Sequence, residues 1–140
     1  MRLILVAVVA LSAVLSGACG GSTNTPAPPA PRVLHEADAG GRVTLLPGQG
    51  LEVDLTDTRA VPGSSLVWTA SSSDGTVLAK LSDSRSPAQP ALARGDVYRA
   101  VFRAGRPGSA TILAVGATTC EAMAKSNCPD RSWSVTVTVA

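Results

Sequence analysis

Three cysteines and one histidine carry the most distinctive chemistry in this chain. Cys120 and Cys128 have seven residues between them, Cys19 lies near the N-terminus, and the histidine is His35. A structural zinc site needs four ligands, usually with a Cys-x-x-Cys spacing, so these residues do not indicate a metal site. Cys120 and Cys128 would form a disulfide in an oxidising compartment and stay thiols in a reducing one. In the chain-entropy model, the disulfide that closes the short loop between them would stabilise the folded state by roughly 2–3 kcal/mol.

Catalytic motifs are missing from the sequence. With a single histidine in the chain, a histidine-centred catalytic triad is nearly excluded. The chain also has no Gly-x-Ser-x-Gly, no phosphate-binding loop and no clustered carboxylate pair. We therefore expect a protein that is not an enzyme, with no catalytic residues and no cofactor.

The N-terminus has the pattern of a secretory signal peptide. Arg2 is followed by an apolar run over residues 3–15, and the small residues Ser16 and Ala18 precede Cys19. The run is too short to cross a hydrocarbon core of about 30 Å as a helix. It matches the apolar region of a signal peptide, which predicts export and removal of residues 1–18.

Residues 15–19 (LSGAC) resemble the lipobox of bacterial lipoproteins. The resemblance implies a diacylglycerol on the thiol of Cys19, fatty acylation of the palmitate type and a membrane anchor on the outer face of the cell membrane. The alternative is ordinary cleavage and secretion with Cys19 at the new N-terminus. Acylation of Cys19 would also leave Cys120 and Cys128 as a pair, and we expect this pair to form a disulfide in the oxidising compartment outside the cell, with two free thiols as the alternative.

Residues 20–31 (GGSTNTPAPPAP) are small, polar or proline and cannot form a core. We predict a signal peptide over residues 1–18, a lipidated cysteine with a Pro-rich linker over 19–32, and one domain over 33–140.

The charge balance excludes one class of partner. Lys and Arg number 12 against 10 Asp and Glu, which gives a net charge of +2, and the charges are scattered. Without a basic stripe or an aromatic platform the sequence does not indicate nucleic-acid binding. We expect a monomer.

The domain reads as short strands separated by turns. Apolar and polar residues alternate over 51–56 and most regularly over 132–139, which is typical of half-buried strands. Turns at intervals of about 8–12 residues predict an all-β, immunoglobulin-like antiparallel sandwich of about seven strands. Trp68, Phe102 and Trp133 are expected in its core.

Three predicted connections are long, and they fall at one end of such a sandwich. With the strands lettered A to G they are the B–C (57–64), D–E (83–96) and F–G (116–131) loops. Loops on a rigid scaffold often bind partners, so we expect a protein or cell-envelope component to bind there. The candidate binding residues are Arg59, Val61, Pro62, Gly63, Ser64 and Gly95.

Two family resemblances concern this domain. Residues 68–77 and 102–112 are similar to the W-x-S-S-D-x-x-V and A-x-x-P-G-x-A-x-I segments of bacterial Ig-like domains, which carry no activity. Residues 61–68 (VPGSSLVW) resemble the N-P-T-T-G-Y/F-x-W segment of chagasin-like cysteine protease inhibitors. Pro62 and Trp68 match that segment, Ser64 stands for a Thr, and Val61 and Ser65 replace its Asn and Gly.

Two functions from different classes follow. The first is a membrane-anchored surface lipoprotein whose loops bind a protein or envelope component. The alternative, implied by the second resemblance, is inhibition of papain-family cysteine proteases by loops inserted into the active-site cleft. A purely structural envelope domain is a third interpretation.

Overall fold

The computed structural model describes residues 27–56, 65–87, 96–119 and 130–140. These residues form eight strands and one short 3-10 helix at Glu36–Asp38. The strands are β1 (Arg32–Leu34), β2 (Arg42–Leu45), β3 (Gly50–Thr56), β4 (Ser65–Ser72), β5 (Leu78–Ser86), β6 (Val97–Ala104), β7 (Gly108–Thr119) and β8 (Arg131–Val139). In this part of the chain no helix is long and apolar enough to span a membrane.

The strands form two sheets of four, in the orders β1-β3-β6-β5 and β2-β8-β7-β4. The predicted all-β sandwich is therefore confirmed. Four of the strand pairings are antiparallel, but β1 pairs with β3 and β2 with β8 in parallel, so both sheets are mixed. The difference arises because the chain between β1 and β2 crosses from one sheet to the other instead of forming a hairpin. Each short strand then lies on a sheet edge.

The core is a single apolar layer between the sheets. Leu51, Val53 and Leu55 of β3 are fully buried, as is Phe102 of β6. In β8 the alternate residues Trp133, Val135, Val137 and Val139 are buried opposite them. The expected core positions of Trp68, Phe102 and Trp133 are confirmed.

A β-bulge in β5 changes which residues face the core. The register shifts between Lys80 and Ser82, so that Leu78 lies opposite Ala104 but Arg85 lies opposite Tyr98. Tyr98 and Ala104 are both buried. After the bulge the odd-numbered residues of this edge strand, although solvent-exposed, lie on the side of the sheet that faces the other sheet. The strand continues to Ser86, so the connection predicted over 83–96 begins only after that residue.

Strand register defines two different ends of the sandwich. In one sheet Thr56 and Ser86 both lie opposite Val97, and in the other Ser65 lies opposite Thr119 and Gly116 opposite Arg131. We call the end formed by these residues the loop end, because segments 57–64, 88–95 and 120–129 leave from it. We call the other end, formed by residues 46–49, 73–77 and 105–107, the turn end.

The turn end is held together by backbone hydrogen bonds between its turns. Gly48 N–H donates to Ala104 C=O at 2.8 Å, and Arg106 N–H donates to Thr76 C=O at 3.1 Å. The beginning of the described chain is attached here too, since Gln49 Nε2 donates to Ala30 C=O at 3.0 Å. The Pro-rich segment thus enters the domain opposite the loop end.

Candidate binding end

The candidate binding residues from the sequence, Arg59, Val61, Pro62, Gly63, Ser64 and Gly95, lie outside the described residues, as do Cys19, Cys120 and Cys128. The strand ends that flank them are described. Because the register brings these strand ends to one end of the sandwich, the three predicted connections start and finish side by side. This matches the shared end that the strand order predicts.

Arg85 joins the two sheets at the loop end. Its Nη2 donates to the backbone carbonyl of Leu66, the second residue of β4. Its Nε lies 3.9 Å from Oδ2 of Asp96, the residue before β6. Arg85, on the strand before segment 88–95, therefore contacts the chain just after segment 57–64 and just after segment 88–95.

Tyr98 makes a second bridge between the sheets, farther from the loop end. Its hydroxyl accepts the N–H of Ala70 at 3.0 Å and donates to Asp83 Oδ2 at 3.0 Å. Lys80 Nζ contacts the same carboxylate oxygen at 2.5 Å. The hydrogen bond from Lys80, followed by that from Tyr98, lowers the pKa of Asp83 below its usual value. Burial of the ring raises the pKa of Tyr98.

The third connection has its own contact at the loop end. The N–H of Thr118, the second-last residue of β7 before segment 120–129, donates to Oδ1 of Asp130 at 3.0 Å. Asp130 is the first described residue after that segment. A side chain thus joins the two ends of this connection, as the ion pair of Arg85 with Asp96 joins the two ends of segment 88–95.

Charged residues on the outer face of β3 and β6 are largely paired with one another. Arg99 donates to both carboxylate oxygens of Asp54, at 2.8 and 2.7 Å, and its Nε is 3.5 Å from Oε2 of Glu52. The hydrogen bonds to Asp54 raise the pKa of Arg99 further above its usual value. Since this paired geometry is complete without a ligand, the outer face is a weaker candidate site than the loop end.

A polar side pocket of about 220 Å³ lies at the open edge between β1 and β2, lined among others by Arg32, Asp38 and Arg42. Asp38 is already engaged, because its Oδ2 accepts the N–H of His35 at 2.7 Å. Among the residues that the structure describes, no group of His, Cys, Asp or Glu could hold a metal ion. The side chains that line this pocket include no Ser, Thr, Cys or His.

Sequence reasoning missed Arg85, Asp96 and the bridge through Tyr98. The sequence pattern assigns Asp83 and Arg85 to the connection over 83–96. Their place on the inner side of β5 depends on the bulge, and the bulge depends on pairing with β6. The only local signal was the pair of opposite charges, Asp83 and Arg85, spaced two apart at a strand end.

Comparisons with known proteins agree with the fold. No family model matches the chain. No curated protein matches it either. Among solved structures, the cysteine protease inhibitor EhICP2 from Entamoeba histolytica is similar with a TM-score of 0.55 and 15% identity, covering 79% of this chain and 96% of that one. The solution structure of amebosin gives a TM-score of 0.54 and 19% identity, covering 80% and 99%.

A complex of PbICP-C with falcipain-2 is also similar, with a TM-score of 0.45, 14% identity, and coverage of 81% of this chain and 92% of that chain. The likenesses to EhICP2 and amebosin, at 15% and 19% identity, show the fold alone. What they define is a β-sandwich that is shared with a cysteine protease inhibitor over nearly the whole length of the inhibitor.

Proposed function

We propose that this protein inhibits papain-family cysteine proteases and that its loop end is the binding surface. The observation that carries the proposal is that the strand ends flanking all three connections lie together at the loop end of the sandwich. The likeness to EhICP2, which is described as a cysteine protease inhibitor, supports it. The match of Pro62 and Trp68 to the inhibitor segment supports it independently.

Inhibition of this kind is binding without chemistry. The three connections would enter the active-site cleft together, with Val61, Pro62, Gly63 and Ser64 from the first and Gly95 from the second as contacts. Proline restricts its own backbone, and a scaffold that holds the connections at fixed bases lowers the entropy lost on binding. A protein with no catalytic residues of its own suffices for this role.

The experiment is a titration of the purified chain against papain and, as a class control, against trypsin. We expect a fall in papain activity with the chain in the nanomolar to micromolar range, and unchanged trypsin activity. Full papain activity at micromolar chain would rule out the proposal, and equal inhibition of both enzymes would remove its specificity for cysteine proteases.

We further propose that the protein is displayed on the outer face of the cell membrane by a lipid on Cys19, with residues 19–32 as linker. The attachment of Ala30 to Gln49 favours this arrangement, because the linker then leaves from the turn end. The strand β7 has 12 residues and runs from the turn end to the loop end. At about 3.3 Å per residue, the loop end would stand roughly 40 Å beyond the linker exit and face away from the membrane.

Two measurements test the anchor and the paired cysteines. Cys19→Ser should move the protein from the membrane fraction to the soluble fraction, and retention in membranes would contradict lipidation. Alkylation without reduction should leave Cys120 and Cys128 unmodified. Labelling of both thiols would contradict the proposed disulfide.

If the papain titration fails, the display of a binding surface for another protein or envelope component is the second candidate. The outward-facing loop end favours it for the same geometric reason. Capture of a partner by the wild-type chain, lost on substitution of Arg59 or Val61, would support it.

A further inference from the structure

We propose that Arg85 is a positioning residue, which fixes Leu66 and Asp96, the described residues that follow segments 57–64 and 88–95, relative to each other at the loop end. The inference rests on the proposed function, because it assigns Arg85 a part in protease binding without contact with the protease. Its basis is the contact of one guanidinium with both Leu66 and Asp96.

Backbone pairing between strands does not join Leu66 to the sheet that contains Arg85 and Asp96. The strands β4 and β5 are edge strands of different sheets, so no ladder of backbone hydrogen bonds joins them. Thr56 and Leu66, on either side of segment 57–64, lie in different sheets, and Arg85 contacts Leu66 from the sheet that contains Thr56. The hydrogen bond from Arg85 to the Leu66 carbonyl joins β4 and β5 closer to the loop end than the Tyr98 bridge, which reaches β4 at Ala70.

The direction of the Leu66 carbonyl follows from the register of β4. Ser73 N–H donates to Thr111 C=O, so the odd-numbered residues of β4 bond to β7. In an antiparallel pair the intervening residues point their N–H and C=O groups away from that partner. The carbonyl of Leu66 thus faces outward from the sheet edge, where Arg85 binds it, just as the N–H of Ala70 faces outward to Tyr98.

The geometry of β5 gives Arg85 this reach. Arg85 lies directly opposite the buried Tyr98 and therefore on the inner side of its sheet, at the edge. A charged residue that points inward on an edge strand also opposes pairing with another chain. Loss of Arg85 would leave the Tyr98 bridge in place, so the sandwich stays closed while the bases of two connections lose their common contact.

The test uses the full chain with Arg85→Ala and a matched control, Arg106→Ala. Arg106 is a comparable arginine at the turn end, where it contacts Thr76 Oγ1 at 2.7 Å and Asp74 at 3.6 Å. We expect Arg85→Ala to raise the inhibition constant for papain about tenfold, on the scale of ordering one or two further side chains on binding. The melting midpoint should stay close to that of Arg106→Ala, which should inhibit like the wild type.

The conservative variant separates positioning from charge. Arg85→Lys keeps the positive charge near Asp96 but lacks the planar group that contacts two acceptors at once, so it should restore only part of the inhibition. Wild-type inhibition by Arg85→Ala would overturn the proposal. So would a loss of inhibition that merely follows a lowered melting midpoint.

A second readout decides the matter if the wild-type chain does not inhibit papain, which would contradict the proposed function itself. Amide hydrogen exchange over residues 57–64 and 88–95 should then be faster in Arg85→Ala than in Arg106→Ala, by several fold. Equal exchange in the two variants would overturn the positioning role.

Discussion

The hydroxyl of Tyr98 accepts a hydrogen bond from the backbone N–H of Ala70 at 3.0 Å and so joins β6 of one sheet to the edge strand β4 of the other. Because the N–H of Ala70 points away from β7, it has no partner in its own sheet. The bridge therefore satisfies a buried backbone donor at the same time as it closes the sandwich.

Tyr98→Phe should lower the free energy of unfolding by about 1–3 kcal/mol, because it leaves the buried N–H of Ala70 without an acceptor. Urea unfolding measures this. Thr69→Val is the control, since the exposed hydroxyl of Thr69 makes only a 3.4 Å hydrogen bond to Val115 C=O. The control should stay within about 0.5 kcal/mol of the wild type. Equal effects of the two substitutions would contradict the bridge.

Acid should weaken the contribution of Asp83 to stability. The hydrogen bonds from Lys80 and Tyr98 lower the pKa of Asp83 in the folded state. A lowered folded-state pKa means that the stabilisation is present above the pKa of the unfolded carboxyl group and is lost as the pH falls through the folded value. The difference in unfolding free energy between the wild type and Asp83→Asn should therefore shrink as the pH falls from about 5 to 3. A difference that stays constant over this range would refute the effect, which should also decrease with added salt.

The two tryptophans should respond differently to the same substitution. Both are buried, and Trp133 Nε1 donates to His35 C=O at 3.1 Å. In the described part of the chain Trp68 Nε1 is buried with no hydrogen-bond partner. Trp133→Phe loses a hydrogen bond, whereas Trp68→Phe removes an unsatisfied donor, so Trp133→Phe should be the more destabilising by about 1 kcal/mol. Urea unfolding of both variants checks this, and the opposite order would contradict it.

Much of the fold could be predicted because its information is local. The alternation over residues 51–56 and 132–139 identifies the buried faces of β3 and β8, and the turn residues mark where strands end. The shared end of the three connections follows from strand order alone.

The rest depends on contacts between distant segments. The bulge between Lys80 and Ser82 is a matter of register against β6, and only that register turns Asp83 and Arg85 inward. The parallel pairing of β1 with β3 depends likewise on where a three-residue strand lands on a sheet edge. The candidate binding residues and the cysteines lie outside the described residues, so their roles stay predictions.

The central claim, that the loop end binds a papain-family cleft, is tested most directly by a matched pair of aspartate substitutions. Val61→Asp puts a charge on the loop end, and Leu46→Asp puts one on the turn end, where Leu46 is 57% exposed. A charge buried without a partner in an interface is costly, so the inhibition constant of the Val61→Asp chain for papain should rise at least about tenfold. Leu46→Asp should inhibit papain as the wild type does. Wild-type inhibition by the Val61→Asp chain, an equal loss of inhibition with Leu46→Asp, or a wild-type chain that leaves papain fully active at micromolar concentration would contradict the account.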